Sequence, residues 1–416
     1  MITQPIAERV TQRLPTSEML PSAGVIEVSV VMPCLNEADT IGLCVGRALA
    51  VLSEHAIAGE VIVADNGSTD GSIAVAQKMG ARVVNEAERG YGAAYMRGIA
   101  AARGRYILIG DSDNTYDFSD LPRLLAPLHQ GFDLVLGSRF KGHILPGAMP
   151  WANRYVGNPV LTGLLNRLFG LQISDAHSGM RAFSREAYER MQLKTTGMEF
   201  ASEMVIKASL ARLKITEVPI TYYPRGGTSK LQPFGDGWRH IRFMLLFSPT
   251  YLFILPGTLI MLLGLIITAA LVPGPFYLGR FYVGIHFMVI GSMLAVLGQQ
   301  LISFGVSARA YAFSEHLVEG DRWLDRAMRY YSLERGLLVG GLLAAVGLIT
   351  FVYILIAWLA GDVHFSELIH LHQAIAASTL MIMGCQVIAA SFFLSLLELH
   401  RRAPAQTGDA ATLREP

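Results

Sequence analysis

Four long stretches without a single charged side chain constrain this sequence more than any other feature. They run from 243 to 279, 281 to 308, 336 to 361 and 368 to 397. About 20 consecutive apolar residues cross a bilayer as a helix, so each stretch is long enough to span one. Four of them in succession behind a charged half exclude a single soluble core. The charged fraction is 16%, whereas a soluble chain has about 25%. Spans are expected near 250–272, 282–304, 337–360 and 374–397. The chain then divides into a flexible arm at 1–24, a polar domain at 25–240, a four-helix membrane region at 241–400 and a tail at 401–416.

The arginines give an orientation. Arg309, Arg322, Arg326, Arg329 and Arg335 crowd the segment between the second and third stretches, and Arg401, Arg402 and Arg414 follow the fourth. The loop at 362–373 has no Lys or Arg, and the loop after the first stretch has only Arg280. Positive residues stay on the cytoplasmic side, which puts the polar domain and both termini there. The first twenty residues carry charges and no apolar run, unlike a signal peptide. His286, His370 and His372 fall in or beside the spans, and the last two read as interfacial.

Within the polar domain, short apolar runs alternate with helical spacing. Val28–Met32, Glu60–Ala64, Ala81–Val84 and Arg105–Gly110 read as strands, and 38–53, 72–79 and 91–102 as helices. That alternation predicts an open, mostly parallel α/β sheet. In such sheets, ligands lie beyond the carboxyl ends of the strands. Asp111-Ser112-Asp113 follows the fourth strand directly, and Asp65 closes the second. Two carboxylates one residue apart can reach one divalent cation, and Mg²⁺ favours a few carboxylates together with phosphate oxygens and water.

Other groups add to this picture. Gly137-Ser138-Arg139, Asp175-Ala176-His177-Ser178-Gly179-Met180-Arg181 and Arg225-Gly226-Gly227-Thr228-Ser229-Lys230 offer cations suited to phosphate oxygens. Gly90-Tyr91-Gly92-Ala93-Ala94-Tyr95 lacks the third glycine of a dinucleotide fingerprint, so its glycines read as sites of close backbone approach at a helix start. Residues 151–170 have amphipathic spacing that fits either a core helix or one lying on a membrane surface, and Trp238-Arg239-His240-Ile241-Arg242 reads as an interfacial anchor. The net charge is +1, which gives no global field for nucleic acid. Cys34, Cys44 and Cys385 show neither a disulfide framework nor metal spacing.

Taken together, Val30-Val31-Met32-Pro33-Cys34-Leu35-Asn36-Glu37, Asp65-Asn66-Gly67-Ser68-Thr69-Asp70 and Asp111-Ser112-Asp113 resemble the inverting family-2 glycosyltransferases of GT-A fold. The later arginine-bearing motifs resemble those of the polyprenyl-phosphate branch, the dolichol-phosphate mannose and glucose synthases. The likeness covers about residues 25–245. It implies transfer of a hexose from a nucleotide-diphosphate sugar, UDP-glucose or GDP-mannose, to a polyprenyl phosphate with inversion.

The resemblance also implies roles. Pro33, Leu35, Glu37 and Asp65 would hold the nucleobase. Asp111 and Asp113 would hold Mg²⁺ or Mn²⁺ against the diphosphate, with Ser112 beside them. Arg139, Ser178 and Arg181 would bind the lipid phosphate, Arg139 serving the chemistry as well. Arg225 and Lys230 would close over the nucleotide. Where some members of the branch have Gln as a third metal ligand, this sequence has Thr115, leaving that position to Thr115, water or another group. Two other readings compete. A processive polysaccharide synthase normally carries Gln-x-x-Arg-Trp, absent here at the spacing of Gln232 and Trp238. A transporter or flippase with a nucleotide-sugar-sensing domain would be expected to pair charges inside its spans. Self-association through the membrane helices stays open.

Overall fold

A computed structural model describes residues 26–226, 233–314, 333–360 and 367–402. The expected arm at 1–24, Lys230, Arg322, Arg326, Arg329 and the tail from 403 onward lie outside the described residues.

Strand β1 (Val28–Cys34) is followed by α1 (Ala38–Glu54), β2 (Gly59–Asp65), α2 (Ser72–Lys78), β3 (Arg82–Asn85), α3 (Tyr91–Ala101) and β4 (Tyr106–Ile109). The period-two geometry of a strand sorts the side chains of β1 to opposite faces. Val30 and Met32 pack with Ile41, Cys44 and Val45 of α1, while Val31 packs with Tyr95 and Ile99 of α3. Both faces are covered, which is why these strands read as unbroken apolar runs. The second half of the domain comprises α4 (Leu121–His129), β5 (Leu134–Ile144), α5 (Asn158–Phe169), β6 (Arg181–Ser184), α6 (Arg185–Met191), α7 (Phe200–Leu210) and β7 (Ile215–Tyr222).

The sheet has seven strands in the order β3-β2-β1-β4-β6-β5-β7. β1 lies parallel to β2 and β4, and β5 lies parallel to β7, but β6 runs antiparallel to both its neighbours. The expected mostly parallel sheet is present, and the reversal at β6 matters for the site. Parallel strands leave the sheet at the site edge, whereas β6 enters there, so its preceding loop joins the pocket.

Helix α8 (Pro233–Leu246) docks on the domain through Met244, which is fully buried, with Phe243 and Phe247 packed beside it. It leads into the membrane region, α9 (Leu255–Leu271), a short aromatic hairpin β8 (Phe276–Leu278) and β9 (Phe281–Val283), α10 (Ile285–Ser314), α11 (Leu333–Leu359) and α12 (Glu367–Arg402). Among the described residues, four helical segments are long and apolar enough to cross a membrane: Thr250–Leu271, Ile285–Tyr311, Leu333–Leu359 and Ile369–Leu397. Their outward faces are apolar, with Leu259, Ile266, Leu338, Ile349, Leu355 and Trp358 all exposed, as a bundle solvated by lipid tails requires. The second span runs past the charge-free window to include Arg309, whose guanidinium donates to the hydroxyl of Thr250 at the start of the first span. A charge paired in this way need not end a helix.

Glycines let these helices meet backbone to backbone. A Cβ on Gly298 of α10 would sit 2.3 Å from the Met261 nitrogen and 2.5 Å from the Gly257 oxygen of α9. Gly340 and Gly384 stand in the same relation between α11 and α12. A hydrogen bond of 2.7 Å between the hydroxyls of Ser292 and Thr379 joins α10 to α12. Without a hydrophobic force between helices in lipid, such close packing is a main source of association. Gly298→Leu should therefore destabilise the bundle by at least about 1–3 kcal/mol. Thermal unfolding in detergent would register the loss, with nucleotide binding by the polar domain retained.

Candidate functional site

The carboxyl ends of β1, β2 and β4 meet at one edge of the sheet. Cys34 of β1 aligns with Asp65 of β2, and the acidic pair follows β4 after Gly110. Ser112 ties two of these ends together, its hydroxyl donating to the Pro33 carbonyl at 2.6 Å. Two turn residues here, Asn36 and Asn114, have left-handed backbone with φ of 53° and 62°, a conformation that asparagine tolerates better than other side chains.

Asp111 is held from α3. The hydroxyls of Tyr91 and Tyr95, one turn apart, donate to its Oδ1 at 2.9 and 3.0 Å. Tyr95 is fully buried and stacks on Phe200 of α7 with ring centroids 5.6 Å apart. The start of α3 reaches this position because Gly90 and Gly92 carry no side chain. A Cβ on either would come within 2.1 or 2.2 Å of the Thr196 or Thr195 oxygen. The reading of these glycines as a close backbone approach is met by that contact.

Asp113 accepts from the Thr115 backbone N–H at 3.1 Å and the Thr115 hydroxyl at 2.6 Å, both on Oδ1. Thr115 thus stands as a support for Asp113, its proton engaged there. Arg225 lies across the other side, donating to Glu37 at 2.9 Å and lying 3.4 Å from Asp113 Oδ2. The segment that carries it is laid along the acidic loop by the Tyr223 N–H, which donates to the Thr115 carbonyl at 2.9 Å. Pro33, Leu35 and Glu37 are all half-buried at this edge. Asp65 is buried, and its carboxylate accepts from the Gly67 and Ser68 backbone N–H groups at 3.0 and 3.1 Å, so it braces its own loop.

Burial and the neighbouring Asp113 carboxylate push the Asp111 carboxyl up to about 6, against the opposing pull of the tyrosine hydroxyls and Arg225. Two carboxylates that repel at one pocket mouth are what a divalent cation relieves, so the residues present fit Mg²⁺ or Mn²⁺. Among the described residues, no group of three or more His, Cys, Asp or Glu side chains converges.

The loop before β6 forms the other wall. The Gly179 N–H donates to the Tyr116 hydroxyl at 2.7 Å, and a Cβ on Gly179 would lie 2.6 Å from Asp111 Oδ2. Both arginines expected to bind the lipid phosphate are engaged within the protein. Arg181 is 1% exposed, and its guanidinium donates to the carbonyls of Ser178, Ala201 and Ala176 at 2.9, 2.7 and 2.8 Å. Each of its three nitrogens donates to a backbone carbonyl, so it shapes the loop from within. Arg139 makes a bidentate pair with the fully buried Asp175 at 2.7 and 2.8 Å and lies over the Tyr222 ring at 5.1 Å. Asp175 is fixed in turn by Glu217, which accepts its backbone N–H at 3.1 Å. Ser178 is buried beside Gly179, its hydroxyl without a partner among the described residues.

The sequence reading did not identify Tyr91, Tyr95, Asp175 or Tyr116 as site residues. The i, i+4 spacing of the two tyrosines puts them on one helix face, but their target lies across a strand crossover. Nothing local could have matched them to Asp111.

Comparison with known proteins decides the family. Residues 29–192 match the model for glycosyl transferase family 2, and residues 306–398 match that for the glycosyltransferase family 2 C-terminal transmembrane region. A relative from Haloferax volcanii, the low-salt glycan biosynthesis hexosyltransferase Agl6, is 41% identical over 373 residues, 89% of each chain. The chain belongs to glycosyltransferase family 2. A second H. volcanii relative, a dolichyl-phosphate hexose transferase, is 35% identical over 214 residues, 51% of this chain and 89% of its own. Among solved structures, glucosyl-3-phosphoglycerate synthase from Mycobacterium tuberculosis gives a TM-score of 0.42 at 27% identity, over 53% of this chain and 77% of that one. The glycosyltransferase thus joins a GT-A domain to a membrane region with four candidate spans.

The raised Asp111 carboxyl makes a stability prediction for the metal-free transferase. The folded protein holds this proton more tightly than the unfolded chain, so the stability that the group confers is present at low pH and lost as pH rises through about 6. In chelator at neutral pH, Asp111→Asn should stabilise the domain by about 1–3 kcal/mol. The gain should shrink as pH falls toward about 4, which thermal unfolding across pH would measure.

Proposed function

We propose that this glycosyltransferase moves a hexose from a nucleotide-diphosphate sugar to the phosphate of a polyprenyl lipid at the cytoplasmic face of a membrane, with inversion at the anomeric carbon. One observation carries the reading: the wall of the pocket opposite the strand ends is tied to an edge built for lipid. Thr162 of α5 accepts from the Ala176 N–H at 3.3 Å in the loop that touches Asp111. The residues leading into α5 expose Trp151, Tyr155 and Val156, and Val160 follows within it. α5 and α8 share a core through Leu165 and Met244, and the Tyr251 hydroxyl at the first span donates to the Arg167 carbonyl at 3.5 Å. Aromatic and apolar side chains exposed beside a span suit a bilayer interface. The named hexose transferases among its relatives support the same class of reaction, and the arginine asymmetry supports the orientation.

The chemistry needs little from a protein base. A lipid monophosphate is already ionised near neutral pH and can attack directly, so catalysis rests on alignment and on stabilising the leaving diphosphate. Asp111 and Asp113 would hold Mg²⁺ or Mn²⁺, which when bound neutralises the departing nucleoside diphosphate. Tyr91 and Tyr95 keep Asp111 aimed, and Thr115 does the same for Asp113. Glu37, Leu35, Pro33 and the braced Asp65 loop offer a nucleobase pocket, and Arg225 stands where it can meet the diphosphate. Of the cations suggested for the acceptor phosphate, Arg139 can serve only while it shares its fork with Asp175.

The test is transfer of radiolabelled sugar from UDP-glucose and, separately, GDP-mannose to undecaprenyl or dolichyl phosphate in detergent. Metal-dependent passage of label into the organic phase is expected with one of them. Asp113→Ala should abolish that transfer while the protein still inserts in membranes. Turnover surviving in the variant would remove the metal assignment, and absence of nucleotide binding would remove the reading as a whole.

A further inference from the structure

The transferase domain and its membrane anchor touch through a buried polar chain that the chemistry above does not use. His177, two residues before Gly179, places Nε2 3.2 Å from the hydroxyl of Ser202 on α7. The same hydroxyl lies 2.8 Å from Nδ1 of His240 on α8, and the two imidazoles meet edge to face with centroids 4.7 Å apart. Ser202 is fully buried and His240 is 7% exposed. Polar groups at that depth are costly unless paired, and a hydroxyl shared by two rings fixes both.

Hydrogen-bond accounting gives the chain a direction. Among the described residues, Nδ1 of His177 is buried without a partner. A buried orphan N–H is rarer than an orphan lone pair, so the proton of the neutral ring sits on Nε2 and is donated to the Ser202 oxygen. Ser202 has one proton of its own, and it goes to Nδ1 of His240. Reversal would strand an N–H in the interior.

The first turn of α7 concentrates these ties. Phe200 stacks on Tyr95, which holds Asp111, and the Ala201 carbonyl receives Arg181. Ser202 adds the membrane-proximal helix to the same turn. We infer that His240, on the helix entering the first span, is a positioning residue that sets the loop at 175–181 against Asp111 through Ser202 and His177. The acceptor side of the pocket is thereby held by the anchor. This rests on the proposed lipid-phosphate acceptor only for its kinetic consequence. The mechanical link stands on the contacts themselves.

The experiment uses the full chain in lipid nanodiscs, comparing wild type with Ser202→Ala, His240→Ala, the double variant and His240→Asn. Asparagine keeps an acceptor near the place of Nδ1. Hydrogen exchange of the 175–181 segment should quicken in both alanine variants, and Mn²⁺–UDP affinity should hold. Transfer to undecaprenyl phosphate should fall between about tenfold and 100-fold, in acceptor KM or kcat and with donor KM unchanged. The double variant should be no worse than either single one, and His240→Asn should recover most of the rate. Unchanged exchange in Ser202→Ala would overturn the inference, as would losses that track the thermal midpoint with no rescue by asparagine. If exchange responds while even wild type transfers nothing to lipid phosphate, the link survives and the proposed acceptor fails.

Discussion

The repulsion between Asp111 and Asp113 is the constraint around which the pocket is arranged. Left alone, two carboxylates one residue apart would turn to solvent or take up a proton. Here each is restrained on a separate account. Asp111 is restrained by two tyrosine hydroxyls from α3, and Asp113 by its own turn and by Arg225. Those restraints have supports of their own: the glycines that seat α3, Phe200 behind Tyr95, and Tyr116 against the Gly179 amide. An electrostatic cost at the mouth is thus spread over several elements of the domain.

The two halves of the molecule obey opposite solvation rules. In the GT-A domain, buried charges are paired, as with Arg139 and Asp175, where removing either would leave the other uncompensated in the interior. In the membrane region the outward surface is apolar, and the described contacts between helices include backbone approach at glycines, the Ser292–Thr379 hydroxyl pair and the Arg309–Thr250 bond. The α8 helix belongs to both regimes. Met244 is sunk in the domain core, while Trp238 is 61% exposed on the same helix.

Much of this was legible in the sequence because it depends on local pattern. The parallel strands announce themselves as apolar runs, and charge-free windows locate the spans to within a few residues apart from the extension through Arg309. Asp111 and Asp113 could be read because adjacency on a loop fixes their proximity. What could not be read depends on distant pairing. Arg181 looks like a phosphate ligand until Ser178, Ala176 and Ala201 close around it, and those carbonyls have no signature in sequence. Asp175 seemed one polar residue of a loop, yet it determines what Arg139 can do. Ser202 lies in a run whose apolar pattern conceals it, and its partners come from 25 and 38 residues away.

The reversed strand β6 has a consequence for how such an enzyme can change. Because that strand enters the sheet at the edge where the strand ends meet, the second wall of the pocket is written in residues preceding 181, well after the acidic pair at 111 and 113. Apart from Arg225, which follows β7, the residues around the acidic pair and the residues of that wall therefore occupy separate stretches of gene. Recombination near β5 could exchange one without rewriting the other. Divergence in one wall of the pocket can then proceed while the strand ends that carry the acidic pair stay fixed.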